Sequence, residues 1–333
     1  MVGRNAGYVT TQGEILTDHL GEAGYATLCV SAHPNRYLRL LDMAQTVVRQ
    51  RHGYDLIILQ VYSGASFVFA DLVSALAVRL KKPVVFHLHG GALPQFIRSR
   101  PAWGRRVLAR GSAMVAPSRY LVNAVAEHGF KAEMIRNIVD VAHYPFRHRL
   151  NLRPRLFWMR AFEPVYNPEM AVRTLAELRR RVPDARLVMA GQAKGLEQRT
   201  AQLAEDLGVA PAIHFPGFVN LPGKLKYAEE SDLFLNTNRI DNTPVGVVEA
   251  CAFGLPVVAT RVGGLPHLLT EGETGLLVPS EDYQAAAEAA TRLLSDHELA
   301  GRLSSQGRRL AEEFSWNNVL PRWEQIFQRV LAG

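Results

Sequence analysis

The stretch Asp241-Asn-Thr-Pro-Val-Gly-Val-Val-Glu249, followed by Ala-Cys-Ala-Phe-Gly254-Leu-Pro-Val-Val-Ala-Thr-Arg261-Val-Gly-Gly264, is the most informative part of the chain. Thr243 is a good N-cap and Pro244 suits the first helical position, so a short helix running through Val245 and Gly246 is expected to stop at Gly254, before a strand from Pro256. The opening of such a helix presents free backbone N–H groups and the positive end of its dipole, which together accept a phosphate. Glu249 falls about six residues inside, roughly 9 Å along the axis, and Asp241 precedes the cap. Two carboxylates thus bracket an anion site, the layout suited to a nucleoside diphosphate sugar with hydroxyls at both ends. On spacing alone, Glu249 reads equally well as an exposed helix residue.

Outward from this unit, apolar runs alternate with helical patterns. Strands are expected at 56–61, 84–86 and 114–116, with helices at 11–22, 38–50, 65–80 and 119–127. After a charged, Pro-bearing passage at 144–154 the rhythm resumes. Strands are expected at 156–160, 186–190, 212–215, 233–236 and 256–260, with helices at 168–181, 196–207 and 245–252. The stretch 280–314 reads as wholly helical, and 316–330 as an amphipathic helix. Such alternation is that of doubly wound parallel sheets, here two Rossmann-like α/β domains at 1–148 and 149–315, with 316–333 returning to the first. The opening residues are polar, so the buried strand that normally begins such a sheet is expected to be absent or to lie upstream.

The chain has 333 residues with 48% hydrophobic content, ample for two cores of about 150 residues each. Cys29 and Cys251 suggest no disulfide framework, which points to a reducing, cytoplasmic setting. The most apolar stretch, 66–78, is broken by Asp71 and is shorter than the about 20 residues a membrane span needs. The formal charge of +7 attracts anions. Arg98, Arg100, Arg105, Arg106 and Arg110 gather around Trp103, either as a solvated helix face or as a basic amphipathic face for anionic lipid at the inner membrane surface. No aromatic-basic module for nucleic acid is present. The His and Cys residues lack zinc-ligand spacing, and no Asp-x-Asp element stands out for magnesium.

The segment 241–264 resembles the family-four retaining glycosyltransferases of the GT-B fold, whose signature is Glu, seven residues, Glu, then an Ala-rich helix, a Gly-x-Pro-Val-Val strand and a Gly-Gly turn. Asp241 replaces the first Glu, keeping the charge on a shorter side chain. The resemblance implies two Rossmann-like domains facing across a cleft, with Glu249 on the donor ribose and Asp241 near the donor sugar. It also implies a nucleotide diphosphate sugar as co-substrate, a hydroxyl acceptor in polysaccharide, lipopolysaccharide or glycolipid synthesis, and no metal or other cofactor.

Further site residues follow from position and resemblance together. His89, in Phe86-His-Leu-His89-Gly-Gly91, lies at the carboxyl end of an apolar strand, where parallel sheets place functional side chains. The resemblance makes it the histidine facing the donor sugar, in preference to His87; a buried structural histidine is the alternative. Arg160 ends the first strand of the second domain, and in the family such an Arg pairs with a Lys five residues later to neutralise the diphosphate. Val165 stands there instead, leaving Lys194 or Arg239 as substitutes. Phe218 resembles the residue lying against the base, although core packing explains it as readily. Gly3, Gly7 and Thr10 read as remnants of a glycine-rich loop or as a loose terminus. A non-catalytic nucleotide-sugar-binding protein and a nucleotide-sugar epimerase are the competing functional readings.

Overall fold

The structure is a computed structural model that describes residues 10–332. Gly3 and Gly7 lie outside the described residues, and Thr10 is exposed. The chain divides into two compact units, one running to Ile138 and resuming at Trp316, the other spanning Val139–Ser315.

The first unit holds four parallel strands in the order β1-β2-β3-β4: β1 (Ile57–Val61), β2 (Val84–Leu88), β3 (Ala113–Ala116) and β4 (Glu133–Met134). Its helices up to this point are α1 (Gln12–Glu22), α2 (Arg36–Arg49), α3 (Phe67–Arg79), α4 (Leu93–Ser99), α5 (Pro101–Leu108) and α6 (Arg119–Ala126). α1 starts at Gln12 because Thr11 and Glu14 form a reciprocal capping box: the Thr11 hydroxyl accepts from Glu14 N at 3.3 Å and Glu14 Oε2 accepts from Thr11 N at 2.7 Å.

The second unit has six parallel strands in the order β10-β9-β8-β5-β6-β7: β5 (Arg155–Met159), β6 (Arg186–Ala190), β7 (Ile213–Gly217), β8 (Leu233–Asn236), β9 (Val257–Thr260) and β10 (Leu276–Val278). From β5 the chain winds outward through β6 and β7, and from β8 through β9 and β10. The strand order therefore reverses between β5 and β8, the place where open parallel sheets take ligands. The helices are α7 (Pro168–Arg179), α8 (Glu197–Asp206), α9 (Leu221–Glu230), α10 (Val245–Ala252), α11 (Leu265–Leu268), α12 (Tyr283–Ser295) and α13 (His297–Glu312). The run 280–314 is thus two helices rather than one. Asp296 leaves helical geometry at φ −108°, ψ 90°, and its side chain caps α13 by accepting from Leu299 N at 2.9 Å. Three strands and α-helices of this unit have no counterpart in the sequence pattern as read: α9, α11 and β10.

The last helix, α14 (Trp316–Ala332), buries Val319, Trp323, Ile326 and Phe327 against Leu16 and Leu20 of α1 and Val85 and Val115 of the first sheet. Periodic apolar positions, not local capping, decide where it lies.

The unit boundary falls at Ile138/Val139 and not at 148/149. The ten residues between belong with the second unit because Val139, Val141 and Tyr144 pack into its core with Phe253 and Val248. The charged passage that follows is not a linker either. Asp232, 1% exposed, receives Arg147 at 2.5 Å and Arg153 at 2.7 Å, while Arg149, 2% exposed, donates to the carbonyl oxygens of Ala228, Ser231, Arg147 and Phe253.

The arginine-rich stretch around Trp103 also resolves differently from one amphipathic helix. It breaks at Arg100 (φ −137°, ψ 59°), and Pro101 begins α5. Three of its five arginines are committed to carboxylates: Arg98 to Glu127, and Arg106 and Arg110 to Asp71, which also accepts from Trp103 Nε1 at 2.6 Å. The exposed apolar groups lie elsewhere. On α2, Tyr37, Leu38, Leu41 and Val48 are exposed while Val47 is buried; on α3, Val68 and Leu72 are exposed.

Candidate functional site

At the switch point of the second unit, Arg160 directly follows β5 and the loop after β8 carries Asn238 and Asp241. Asp241 Oδ2 accepts from Arg160 Nη2 at 2.9 Å and from Asn238 Nδ2 at 2.7 Å, and its Oδ1 accepts from Asn242 N at 2.7 Å. The Arg160 guanidinium lies over the Tyr166 ring, 5.1 Å from its centroid, a cation–π contact. Its buried Nε has no hydrogen-bond partner. Close approach of β6 depends on Gly191, where an added Cβ would sit 1.6 Å from the Arg160 carbonyl oxygen.

The loop leads into α10, which begins one residue later than the capping pattern suggests. Pro244 is the N-cap, at φ −66° and ψ 108°, and its carbonyl accepts from Val247 and Val248 at 2.9 and 3.3 Å; Thr243 lies before the cap, buried, and does not cap the helix. The cause is tertiary. Gly264 N donates to Asp241 O at 2.9 Å, and Cβ atoms at 263 and 264 would lie 2.0 and 1.8 Å from the carbonyl oxygens of Asp241 and Asn242. The Gly-Gly turn therefore pins the loop and holds it extended through Pro244. The N–H groups of Val245 and Gly246 form the helix mouth, where intrahelical acceptors are lacking. At the other end the helix stops before Gly254, whose φ is +77°.

Glu249 is buried at 5% exposure, which removes the reading of an exposed helix residue. Its Oε1 accepts from Lys224 Nζ at 2.6 Å and from the Tyr144 hydroxyl at 2.7 Å. Burial pushes the Tyr144 hydroxyl well above its ordinary range and the Glu249 charge adds to this, so it stays a donor. Lys224 belongs to α9, capped by Asn220 through Gly223 N at 3.2 Å. The sequence reading missed Lys224, Tyr144 and Asn238. The Asn-Leu-Pro-Gly run at 220–223 was the available helix-start signal for α9, whereas nothing local marks Tyr144.

Of the two substitute cations expected in nearby loops, Arg239 is engaged elsewhere. Arg239 is committed to Glu281 at 2.6 Å and to the Pro164 carbonyl at 2.5 Å, and Lys194 is exposed. Val165 lies in the tight turn that positions Tyr166. Phe218 follows β7 directly and is 41% exposed, so it is not core.

In the first unit, His89 follows β2 and donates its backbone N–H to Val61 O at 2.8 Å. Its ring stacks on Tyr62 with centroids 5.0 Å apart, and its Nε2 lies 2.5 Å from Gln60 Oε1. Burial lowers its pKa to about 3, so the imidazole is neutral. His87, on the same face, is also pushed well down by burial, and neither of its ring nitrogens has a partner. Among the described residues no group of three or more His, Cys, Asp or Glu side chains is arranged to hold a metal ion.

Two parallel-sheet units, with a charged cluster at the switch point of the second, define a Rossmann-like α/β protein of the GT-B class. The chain belongs to the glycosyl transferases group 1 family, whose model matches residues 144–310; the model of Glycosyltransferase Family 4 matches residues 10–143. Among curated proteins, it is 34% identical over 178 residues to the GDP-mannose-dependent alpha-(1-6)-phosphatidylinositol monomannoside mannosyltransferase of Mycolicibacterium smegmatis, covering 51% of this chain and 46% of that protein. It is 28% identical over 259 residues to the D-inositol 3-phosphate glycosyltransferase of Acidothermus cellulolyticus, covering 70% of this chain and 58% of that protein. The matched region thus spans about half the length of these relatives. Among solved structures, sucrose-phosphate synthase from Thermosynechococcus elongatus superposes with a TM-score of 0.79 at 18% identity, covering 96% of this chain and 92% of that one. Anabaena Alr3699/HepE in complex with UDP-glucose gives 0.75 at 19%, covering 94% and 89%.

Proposed function

We propose that the chain is a retaining glycosyltransferase that moves a sugar from a nucleotide diphosphate sugar to a hydroxyl acceptor in polysaccharide, lipopolysaccharide or glycolipid synthesis, with no metal required. The observation that carries this reading is the cluster at the β5/β8 switch point: Arg160 paired with Asp241, and Glu249 inside the helix whose mouth is Val245 and Gly246. Each carboxylate is neutralised by a cation, Asp241 by Arg160 and Glu249 by Lys224. A donor exchanges these partners. Its diphosphate takes Arg160 and the helix mouth, its sugar hydroxyls take Asp241, and its ribose hydroxyls take Glu249, with Phe218 beside the base. As the diphosphate leaves, charge grows on its oxygens, and fixed donors stabilise that state more than the bound donor. The resemblance gives His89 the role of facing the donor sugar, and its neutral ring carries no charge to oppose the one developing there. The names of the relatives favour GDP-mannose as a first donor, and the HepE complex favours UDP-glucose.

The test is nucleotide release from GDP-mannose, UDP-glucose and ADP-glucose with and without hydroxyl acceptors, with the product anomer read by NMR. Release that requires acceptor, with the donor's anomeric configuration kept, is expected. Binding without turnover would make the chain a non-catalytic receptor, and sugar conversion without acceptor an epimerase.

The partner we infer for the exposed face of α2 and α3 is an anionic lipid surface at the inner side of a membrane. What supports it is charge complementarity. The stretch 36–82, which carries the exposed Tyr37, Leu38, Leu41 and Leu72, has seven Lys and Arg (36, 39, 49, 51, 79, 81, 82) against three Asp (42, 55, 71). Among the described residues no helix is long and apolar enough to cross a membrane. Flotation with phosphatidylglycerol-containing vesicles, but not with phosphatidylcholine alone, is expected, and Leu38→Ser with Leu41→Ser should abolish it. Equal flotation of that double variant would overturn the assignment.

A further inference from the structure

We propose that Gln60 is a positioning residue for His89: it fixes the imidazole as the neutral Nε2–H tautomer, and position 13 is glycine because the Gln60 side chain passes there. The proposal rests on the reading of His89 as a contact to the donor sugar.

Four observations converge on it. The parallel register pairs Gln60 with His87, so β1 delivers the Gln60 side chain to the face of β2 that carries both histidines. Of the two, Gln60 engages only His89, with Nε2 2.5 Å from Oε1, while both ring nitrogens of His87 stay unpartnered and buried. Tyr62, two residues beyond Gln60 on the same face, stacks on the His89 ring at an interplanar angle of 18°, so a single strand end sets both the plane of the ring and its rotation within that plane. On the far side α1 passes closely. A Cβ at Gly13 would stand 3.2 Å from both Cγ and Cδ of Gln60, so a larger residue would require the Gln60 side chain to give by a few tenths of an ångström.

The chemistry follows from which nitrogen carries the proton. The Gln60 carbonyl oxygen accepts a hydrogen bond, so Nε2 of His89 is the donor and Nδ1 keeps its lone pair. A ring held this way presents an acceptor to a sugar hydroxyl and no positive charge to an anomeric carbon losing its leaving group. An imidazolium would oppose that charge. Burial supports the neutral state. Among the described residues, His87 on its own strand packs against the ring, Tyr62 beyond β1 stacks on it, and Glu14 on α1 acts electrostatically on Tyr62. Gln60 supplies orientation where the environment supplies neutrality.

The experiment uses the full chain with 15N-labelled histidine and two substitutions. Gln60→Leu removes the acceptor; the His89 imidazole spectrum is expected to lose its single Nε2–H pattern, and kcat for nucleotide release from GDP-mannose or UDP-glucose to fall about 10- to 100-fold with KM little changed. Gln60→Glu keeps an acceptor and adds charge. It is expected to retain the tautomer and kcat at alkaline pH, while raising the His89 pKa so that activity is lost as the ring protonates at lower pH. A role in packing alone would not create that acid limb. An unaltered ring spectrum in Gln60→Leu overturns the positioning, whatever the turnover. An altered spectrum with unaltered kcat establishes the contact and overturns its bearing on transfer. If Arg160→Ala also turns over normally, the functional reading fails separately, since that side chain has no part in the His89 contact.

Discussion

The two units treat their strand ends in opposite ways. Beyond β5 and β8, charge is kept and matched: Arg160 with Asp241 at 2.9 Å, Lys224 with Glu249 at 2.6 Å. Beyond β1 and β2, titratable rings are kept and discharged: His87 and His89 are buried and neutral, with Tyr62 stacked alongside. On the proposed reading, the first arrangement exchanges partners with an incoming anion at little electrostatic cost, because neither carboxylate nor cation is stripped of a counter-charge. The second offers shape and a lone pair without charge.

The widest separation between the two should come from breaking the buried ion hub under the second unit. Burial alone would raise the Asp232 carboxyl, but bonds from Arg153 and Arg147 hold it below its ordinary value. Asp232→Ala leaves Arg149, whose pKa burial lowers to about 10, without its counter-charge. Unfolding free energy in urea should drop by about 3–5 kcal/mol, in a transition assigned to the second unit. Next, Arg160→Ala should raise the barrier of transfer by about 3–4 kcal/mol, read as kcat/KM, with the melting temperature nearly unchanged because Asp241 keeps Asn238 and the Asn242 amide. The neutral side answers to acid instead. The folded pKa of His89, about 3, lies below the unfolded value near 6.5, so the unfolded chain binds the extra proton between them. Stability is therefore full above pH 6.5 and falls with decreasing pH by about 1.4 kcal/mol per unit. His89→Gln should remove that share of the slope in melts recorded from pH 7 to pH 5. The smallest effect belongs to Lys224→Met, which frees Glu249 of one partner; donor KM should shift by about 1 kcal/mol with kcat retained. A loss of kcat instead would mean that Lys224 reaches the diphosphate.

Much of the second unit was legible before any coordinates. Pro, Gly and the apolar runs between them placed α10, the stop at Gly254 and the strand after it to within a residue, since caps and periodicity act over a few positions. The one-residue error at Thr243 is instructive: the capping pattern was sound, but the Gly263–Gly264 turn, twenty residues on, holds the loop extended through Pro244. The boundary set at 148 failed similarly. A charged, Pro-bearing passage reads as a linker until Asp232, 83 residues after Arg149, is seen to draw its arginines inward.

Alternation of strand and helix, the carboxylates eight positions apart at 241 and 249, and a histidine at a strand end are properties of short stretches, and the amino-acid order alone determined them. Which partner each charged group holds is a property of packing. Tyr144 and Lys224 meet Glu249 from 105 and 25 residues away, and Gln60 meets His89 across two strands. Only the folded chain brings such groups within 3 Å. It also sets their protonation, because the desolvation that keeps His89 neutral is imposed by neighbours distant in sequence.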